Sequence, residues 1–272
     1  MNAPIRPPTE EAIVLREDKD GIAFVVLNRP QARNALSAAM LEALSKTLAG
    51  VAIDKSVRAV IVAANGPGFC AGHDLREITE RRKDTDSGLA YTKALMDSCS
   101  SMIMSIHRMP QPVIAAVEGP ASAAGCQLVA TCDLAIGSKT ASFATPGVHI
   151  GLFCSTPMVA LSRNVAPKHT MEMLLTGELV SAEDAYRIGL INRVVAQGTA
   201  RDEAFKLARQ ITAKSALTIK LGKQAFYRQL DMTLPEAYRY TGEVMVENMM
   251  TRDAKEGISA FVEKRTPAWE DR

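Results

Sequence analysis

The sequence predicts an α/β protein, a core of alternating strands and helices followed by a helical C-terminal portion. Three observations carry that expectation. Short apolar runs rich in Val and Ile recur between residues 11 and 200. Segments with apolar residues at helical spacing separate them. Beyond residue 200 the strand signal ends while the helical spacing continues. The expected division is therefore a loose tail over residues 1–10, a core over 11–200 and a helical region over 201–272.

The elements follow in order. EAIVLRED and GIAFVVLN, separated by Lys19, Asp20 and Gly21, form a hairpin signal. NRPQARNALS reads as a loop, and Ser37 is placed to cap the helix AAMLEALSKTLAGVA. VRAVIVAA is too continuous in Val, Ile and Ala to alternate, so it reads as a strand buried on both faces. The loop NGPGFCAGHDL follows, then a helix over residues 91–109 and the strand PVIAAV. EGPASAAGCQLVATCDLA opens with tiny residues and runs into a buried helix, and LAIGS is a further strand. Beyond Thr156 the chain turns mostly helical: SAEDAYRIG carries a serine cap and a terminal Gly189, and INRVV is the last strand.

A chain of 272 residues suits one large domain, and 47% hydrophobic with 23% charged residues is ordinary globular composition. The formal charge of +2, from 32 basic and 30 acidic residues, gives no reason to expect a nucleic-acid partner. Five cysteines with no CxxC pair argue for a reducing compartment, and against a disulfide frame or a metal site. The N-terminus MNAPIRPPTEE has no apolar signal core and carries acids, against a secretory or transit peptide. The longest apolar region, residues 113–136, is broken by Glu118, Gly119, Pro120 and Asp133, so no membrane partner is expected. A cytoplasmic protein is the expectation.

Two loops stand out because each joins small residues to a strand end, where ligands gather in open α/β sheets. They are FCAGHDL and the 118–135 stretch. Two readings stay open: tight turns permitted by glycine, or two backbone N–H groups bracketing a carbonyl oxygen. No GK[ST] and no GxGxxG occurs, so nucleotide cofactors lose support. Ser155, Cys154 and Cys70 are candidate nucleophiles, with His73, His107, His149 and His169 as partners, but no GxSxG elbow supports them.

The blocks LNRPQARNALS, FCAGHDLRE, PVIAAVEGPASAAGCQLVATCDLAIGSKTASFATP, residues 175–194 and EGISAFVEKRTPAW fall in one order along the chain. In that order they resemble the enoyl-CoA hydratase/isomerase (crotonase) family. The resemblance implies a crotonase-type spiral of ββα units with a helical C-terminal trimerisation region. It also implies acyl-CoA thioester substrates, with coenzyme A as part of the substrate and no permanently bound cofactor. The implied assembly is a homotrimer or a dimer of trimers. By position, the two oxyanion donors fall on the backbone N–H groups of His73 and Ala124. Arg33 and Ala35 match the loop that contacts CoA. Ala71, His73, Asp74, Leu75 and Arg76 match the segment beside the thioester and adenine pocket. Phe261 and Lys264 match the C-terminal helix that closes over adenine and the 3′-phosphate.

Two departures accompany the resemblance. The family's two acid–base glutamates fall on Gln127 and on Gly147 in TPGVHIGLF. An amide does not titrate, although it holds a water or a carbonyl. If TPGVHIGLF is extended, His149 faces the same side as Gly147 and stands as a substitute base; its other reading is a wall residue. His73 is a second candidate, because GHD resembles the loop of a family decarboxylase, whose chemistry needs an enolate stabilised. The combination AAGCQLVATCD with FATPGVHIGLFCSTP is most similar to one branch of the family that shares both losses.

Overall fold

The computed structural model describes residues 12–272, so the tail expected over 1–10 lies outside the described residues. The chain opens with β1 (Val14–Lys19) and β2 (Ile22–Leu27), joined by a turn through Asp20 and Gly21, both at positive φ. Next come α1 (Ala38–Ile53), β3 (Ala59–Ala64), α2 (Leu75–Arg81), α3 (Leu89–Arg108) and β4 (Val113–Val117). The middle holds β5 (Ala121–Ser122), α4 (Ala124–Thr131), β6 (Leu134–Ser138), β7 (Ser142–Ala144), α5 (Ser155–Leu161) and α6 (Pro167–Thr176). After β8 (Val180–Ser181), α7 (Ala182–Arg187) and β9 (Arg193–Val195), the rest is helical: α8 (Ala200–Thr212), α9 (Ala216–Gln229), α10 (Leu234–Met249) and α11 (Arg252–Val262).

The main sheet runs β1-β2-β3-β4-β6-β9. Only the β1–β2 pair is antiparallel; every later pair is parallel and needs a crossover, which the helices supply. Strand residues alternate between two apolar layers. Val25, Leu27, Val60, Val62, Val113 and Ala115 face one core shared with α1, α3 and α4. Ile22, Ile61, Ala63, Ile114 and Ile136 face the other, closed by Ala200, Ala204 and Ala208 of α8. That four-residue alanine spacing gives α8 a flat small-residue stripe on the sheet. α8, which the sequence reading placed in the C-terminal region, is thus the second layer of the core. Glu118, just past β4, accepts from Gly198 N (2.8 Å) and Ala200 N (2.6 Å) and so caps it.

The second sheet, β5-β7-β8, is small, and its strands are two or three residues long. Ser37 caps α1 and Ser181 caps α7, each accepting from the third residue on, as the sequence indicates. α2 lies inside what reads in sequence as loop; Asp74 caps it by accepting from Arg76 N and Glu77 N. Among the described residues no helix is long and apolar enough to cross a membrane.

The C-terminal helices are fastened to the core by one buried charge cluster. Lys223 Nζ of α9 reaches Asp133 Oδ2 at 2.7 Å and also donates to the carbonyls of Ile106 (2.9 Å) and Gln111 (2.8 Å). Tyr227 donates to Asp133 Oδ1 at 2.7 Å and stacks on His107, with centroids 4.1 Å apart. Val113 N completes the carboxylate at 2.6 Å. The Lys223 ammonium has three acceptors and both Asp133 oxygens are hydrogen-bonded, the condition under which a buried ion pair is tolerable. Lys223→Met leaves the Asp133 carboxylate buried without its cation and is expected to cost about 3–5 kcal/mol; urea denaturation with paired m-values measures it.

Candidate active site

Two backbone segments meet at the carboxyl ends of β3 and β4. Phe69 N and Cys70 N both donate to Pro120 O, and Ser122 N donates to Cys70 O at 2.8 Å, so the loop after β3 is stitched to β5. On its other side Leu36 N donates to Gly72 O (2.8 Å) and Asp74 N to Leu36 O (3.3 Å). This parallel bridge uses the groups flanking His73 and turns the His73 N–H away from Leu36.

The second donor comes from the start of α4. Ala123 has φ 49° and ψ −117°, a strained conformation for a residue with a side chain, and its N–H donates to Ala144 O at 2.9 Å. The turn leaves the Ala124 N–H at the first helical position, where no intrahelical acceptor exists. Among the described residues neither His73 N nor Ala124 N has an acceptor. Gly72, at φ +90°, brings the two together: a Cβ built on it lies 3.3 Å from Ala124 N and 2.9 Å from Ala123 Cβ. A Cβ at Gly125 meets Cys70 O at 2.2 Å, so α4 also sits flush on the first loop. The result is a pair of free N–H groups at a helix N-terminus, which is suited to an oxygen that gains negative charge.

Asn34 holds this frame, although the sequence reading did not single it out. Fully buried at φ 54°, it donates to Asn65 O and Gly68 O, both at 2.9 Å, and accepts from Arg29 N at 2.8 Å. An Asn beside a turn was the available signal, since Asn tolerates the left-handed region. A cavity of about 340 Å³ opens beside the loops, lined by Arg33, Pro67, Gly68, Ala71, Pro120 and Ser122. A larger cleft, about 800 Å³, lies between α1 and α3 and includes no residue of either donor loop.

The remaining candidates fall as follows. Arg33 and Ala71 line the smaller cavity, and Ala35 is buried beside them in the chain. Asp74 is held by Arg29 at 2.8 Å; burial pulls its pKa up, but the hydrogen bonds outweigh this and hold it below the usual carboxylate range. Leu75 and Arg76 are exposed at the start of α2. Phe261 and Lys264 are exposed at the end of α11.

The condition on which His149 would share a side with Gly147, an extended TPGVHIGLF, is not met. Residues 146–150 form a 3₁₀ turn, started by Pro146 and ended by Gly151 in the left-handed region. In three residues per turn, Gly147 and His149 do not share a face. His149 is exposed, and its Nε2 sits 2.7 Å from Thr176 O. Gly147 is closed as well: a Cβ there meets Leu152 O at 2.7 Å and Cys154 Sγ at 3.0 Å.

Gln127 is 4% exposed, and its Oε1 is buried with no hydrogen-bond partner among the described residues. His73 Nε2 is likewise buried without a partner. Burial holds His73 below its ordinary pKa, so the imidazole is neutral at pH 7. Burial also pushes the thiols up, Cys70 and Cys126 to about 12 and Cys99 to about 11, which makes them poor nucleophiles. Ser155 Oγ is directed to Phe153 O at 3.3 Å, and His169 is half-buried, 4.0 Å from Glu172. Among the described residues these groups assemble no nucleophile–base pair.

Comparison with known proteins places this geometry in context. The model of the family described as enoyl-CoA hydratase/isomerase matches residues 17–272. The Homo sapiens protein named enoyl-CoA hydratase domain-containing protein 3, mitochondrial, is 47% identical over 250 residues, covering 92% of this chain and 81% of that protein. Its Rattus norvegicus counterpart is 44% identical over 266 residues, covering 98% and 87%. A crystal structure of an enoyl-CoA hydratase from Mycobacterium smegmatis superposes with a TM-score of 0.90 at 49% identity, covering 95% of this chain and 99% of that one. The likeness bears out the crotonase fold. One expectation is corrected: both mammalian relatives are named mitochondrial, which overturns the cytoplasmic assignment made from the cysteines and the N-terminus.

The buried histidines set a pH dependence. Burial lowers the folded-state pKa of both His73 and His107. The unfolded chain therefore takes up these protons first, and stability falls as pH drops below the ordinary histidine value of about 6.5. The thermal midpoint is expected to be lower at pH 5.5 than at pH 7.5. His73→Gln removes part of that difference, as scanning calorimetry at the two pH values shows.

Proposed function

The chain belongs to the enoyl-CoA hydratase/isomerase family, and from that premise we propose that it is an acyl-CoA thioester-processing enzyme working through an oxyanion hole. The observation that supports this is the pair of free backbone N–H groups on His73 and Ala124, brought side by side by Gly72. In this reading the thioester oxygen accepts from both. Negative charge arriving on that oxygen, as an enolate or a tetrahedral adduct forms, is stabilised by donors that need no reorganisation; each contributes about 10²–10³-fold. Arg33, Ala35 and Ala71 flank the CoA moiety, with His73, Asp74, Leu75 and Arg76 along the pocket edge. Lys264 and Phe261 meet the 3′-phosphate and adenine. Coenzyme A enters as part of the substrate, and no permanently bound cofactor is invoked.

The nominal reaction is hydration of an enoyl-CoA in fatty acid metabolism, but the two positions of its acid–base pair hold Gln127 and Gly147. Each missing group typically costs 10²–10⁴-fold. That deficit supports a second reading, a decarboxylase or thioester hydrolase that needs enolate or oxyanion stabilisation without a glutamate pair. The exposed apolar residues of α9, α10 and α11, among them Phe226, Tyr238, Met245, Val246 and Ile258, support assembly through the C-terminal helices into a trimer or a pair of trimers.

Purified protein is expected to bind acetyl-CoA, and Gly72→Ala, which pushes a methyl against Ala123, weakens that binding about tenfold or more by calorimetry. No binding by the wild type sinks the acyl-CoA reading. Crotonyl-CoA hydration, followed as loss of enoyl thioester absorbance, is expected to run at least about 10⁴-fold below an ordinary enzymatic turnover. Gln127→Glu combined with Gly147→Glu does not restore it, because a side chain at 147 collides with the Leu152 carbonyl.

A further inference from the structure

The helices that follow α8 bury few side chains. In α9, α10 and α11 the buried residues are Ala225, Ala237, Asp253 and Ala260, so no large apolar side chain of these helices is fully enclosed. Regions with so little apolar burial open at a lower free energy than the core. Their docking leans instead on polar contacts. Lys223 and Tyr227 of α9 meet Asp133, and at the far end Arg58 pairs with Asp271 at 2.7 Å while donating to Lys214 O at 2.6 Å. The Arg58 contact sits at the connection between α8 and α9, where it can serve as a pivot. The Asp133 cluster is then the latch.

His107, in the last turn of α3, is built into that latch. Its ring stacks on Tyr227 with the planes 14° apart. From α9 it faces the Lys223 ammonium and the Tyr227 phenol; from the turn after α4, the Thr131 carbonyl and the Asp133 carboxylate; from beyond α5, the Arg163 guanidinium. Cys132 beside them stays a neutral thiol, because burial and the Asp133 charge both raise its pKa. Both Asp133 oxygens are already engaged, Oδ1 by Tyr227 and Oδ2 by Lys223 and Val113 N. A proton added to His107 therefore enters a closed space with one shared carboxylate and two other cations. Burial, with Lys223 and Arg163, outweighs the pull of Asp133 and the Thr131 carbonyl and holds that proton off.

We propose that His107 makes the latch sensitive to pH, so that α9, α10 and α11 undock together and reversibly in mild acid while the sheet stays folded. Undocking withdraws Lys223 and Tyr227 and opens the ring to water. A charged His107 then stands beside Asp133 in place of the lost ammonium, which keeps the carboxylate from being stranded. The docked state has the lower histidine pKa, so docking is strongest above the ordinary value of about 6.5 and weakens as pH falls through it. The latch thereby controls how the exposed apolar faces of these helices are presented. No residue assigned to acyl-CoA binding above takes part in the latch itself, so it stands apart from that reading.

The experiment is hydrogen exchange of the full-length protein at pH 7.5 and pH 5.5, read by mass spectrometry and corrected for the intrinsic rates. Protection of α9 and α10 is expected to fall about five- to tenfold at pH 5.5, the limit for one proton taken up at the ordinary histidine pKa. β3 and β4 keep their protection, and return to pH 7.5 restores that of α9. His107→Phe keeps a ring on Tyr227 and cannot charge, so its α9 is expected to show the same protection at both pH values; His107→Asn serves if the Phe variant does not fold. Unchanged α9 protection in the wild type, an equal loss in β3 and β4, or an undiminished pH response in the variants overturns the proposal.

Discussion

The site depends on one close approach, the seating of the loop after β3 against the first turn of α4. Gly72 and Gly125 are where the two backbones come nearest, and added methyl carbons would fall 2.9 Å from Ala123 Cβ and 2.2 Å from Cys70 O respectively. The approach brings the segments that carry the N–H groups of residues 73 and 124, some fifty positions apart in sequence, against each other. It also explains the strain at Ala123. A residue with a Cβ is held at positive φ because Ser122 N, Ala123 N and Gln127 N are all engaged around it. Asn34 serves the same end from behind by tying down residues 65 and 68.

Around that contact the layers are arranged to hold the loops still. β3 and β4 are buried on both faces, with α1, α3 and α4 on one side and α8 on the other, so their carboxyl ends are fixed points. Glu118 serves both ends of this arrangement: it leads from β4 into the second loop, and its carboxylate caps α8. The Asp133 cluster then anchors α9 to the segment between α4 and β6. The C-terminal helices are thereby coupled to the same strand ends that carry the site.

The chemistry that results is asymmetric. In the proposed reading the two N–H groups stabilise charge on an oxygen, while the positions matching the family's glutamates hold an amide and a glycine. The nearby histidine is kept neutral by burial, and the thiols are held protonated. Such a site favours reactions whose barrier lies in forming an enolate or oxyanion over those that need a positioned base.

Much of this was legible in the chain itself. Continuous Val, Ile and Ala runs marked the strands because both faces of a parallel sheet are buried. Ser37 and Ser181 marked helix starts because a hydroxyl before an apolar run caps free N–H groups. The ordered blocks pointed to the family, and that resemblance puts Gln127 and Gly147 where its two glutamates are expected. Other features were less visible. α2 was passed over although Asp74 and Glu77 have the spacing of a capping pair, because its seven residues are too few for periodicity to show. The turn at Pro146 was not legible because an extended strand and a 3₁₀ turn of this length differ only in backbone angles. The role of Asn34, the closure of the space at Gly147, the exposure of His149 and the unpaired Oε1 of Gln127 depend on contacts between segments far apart in sequence. Local pattern fixes which elements form; only packing decides which backbone groups and side chains are left without partners.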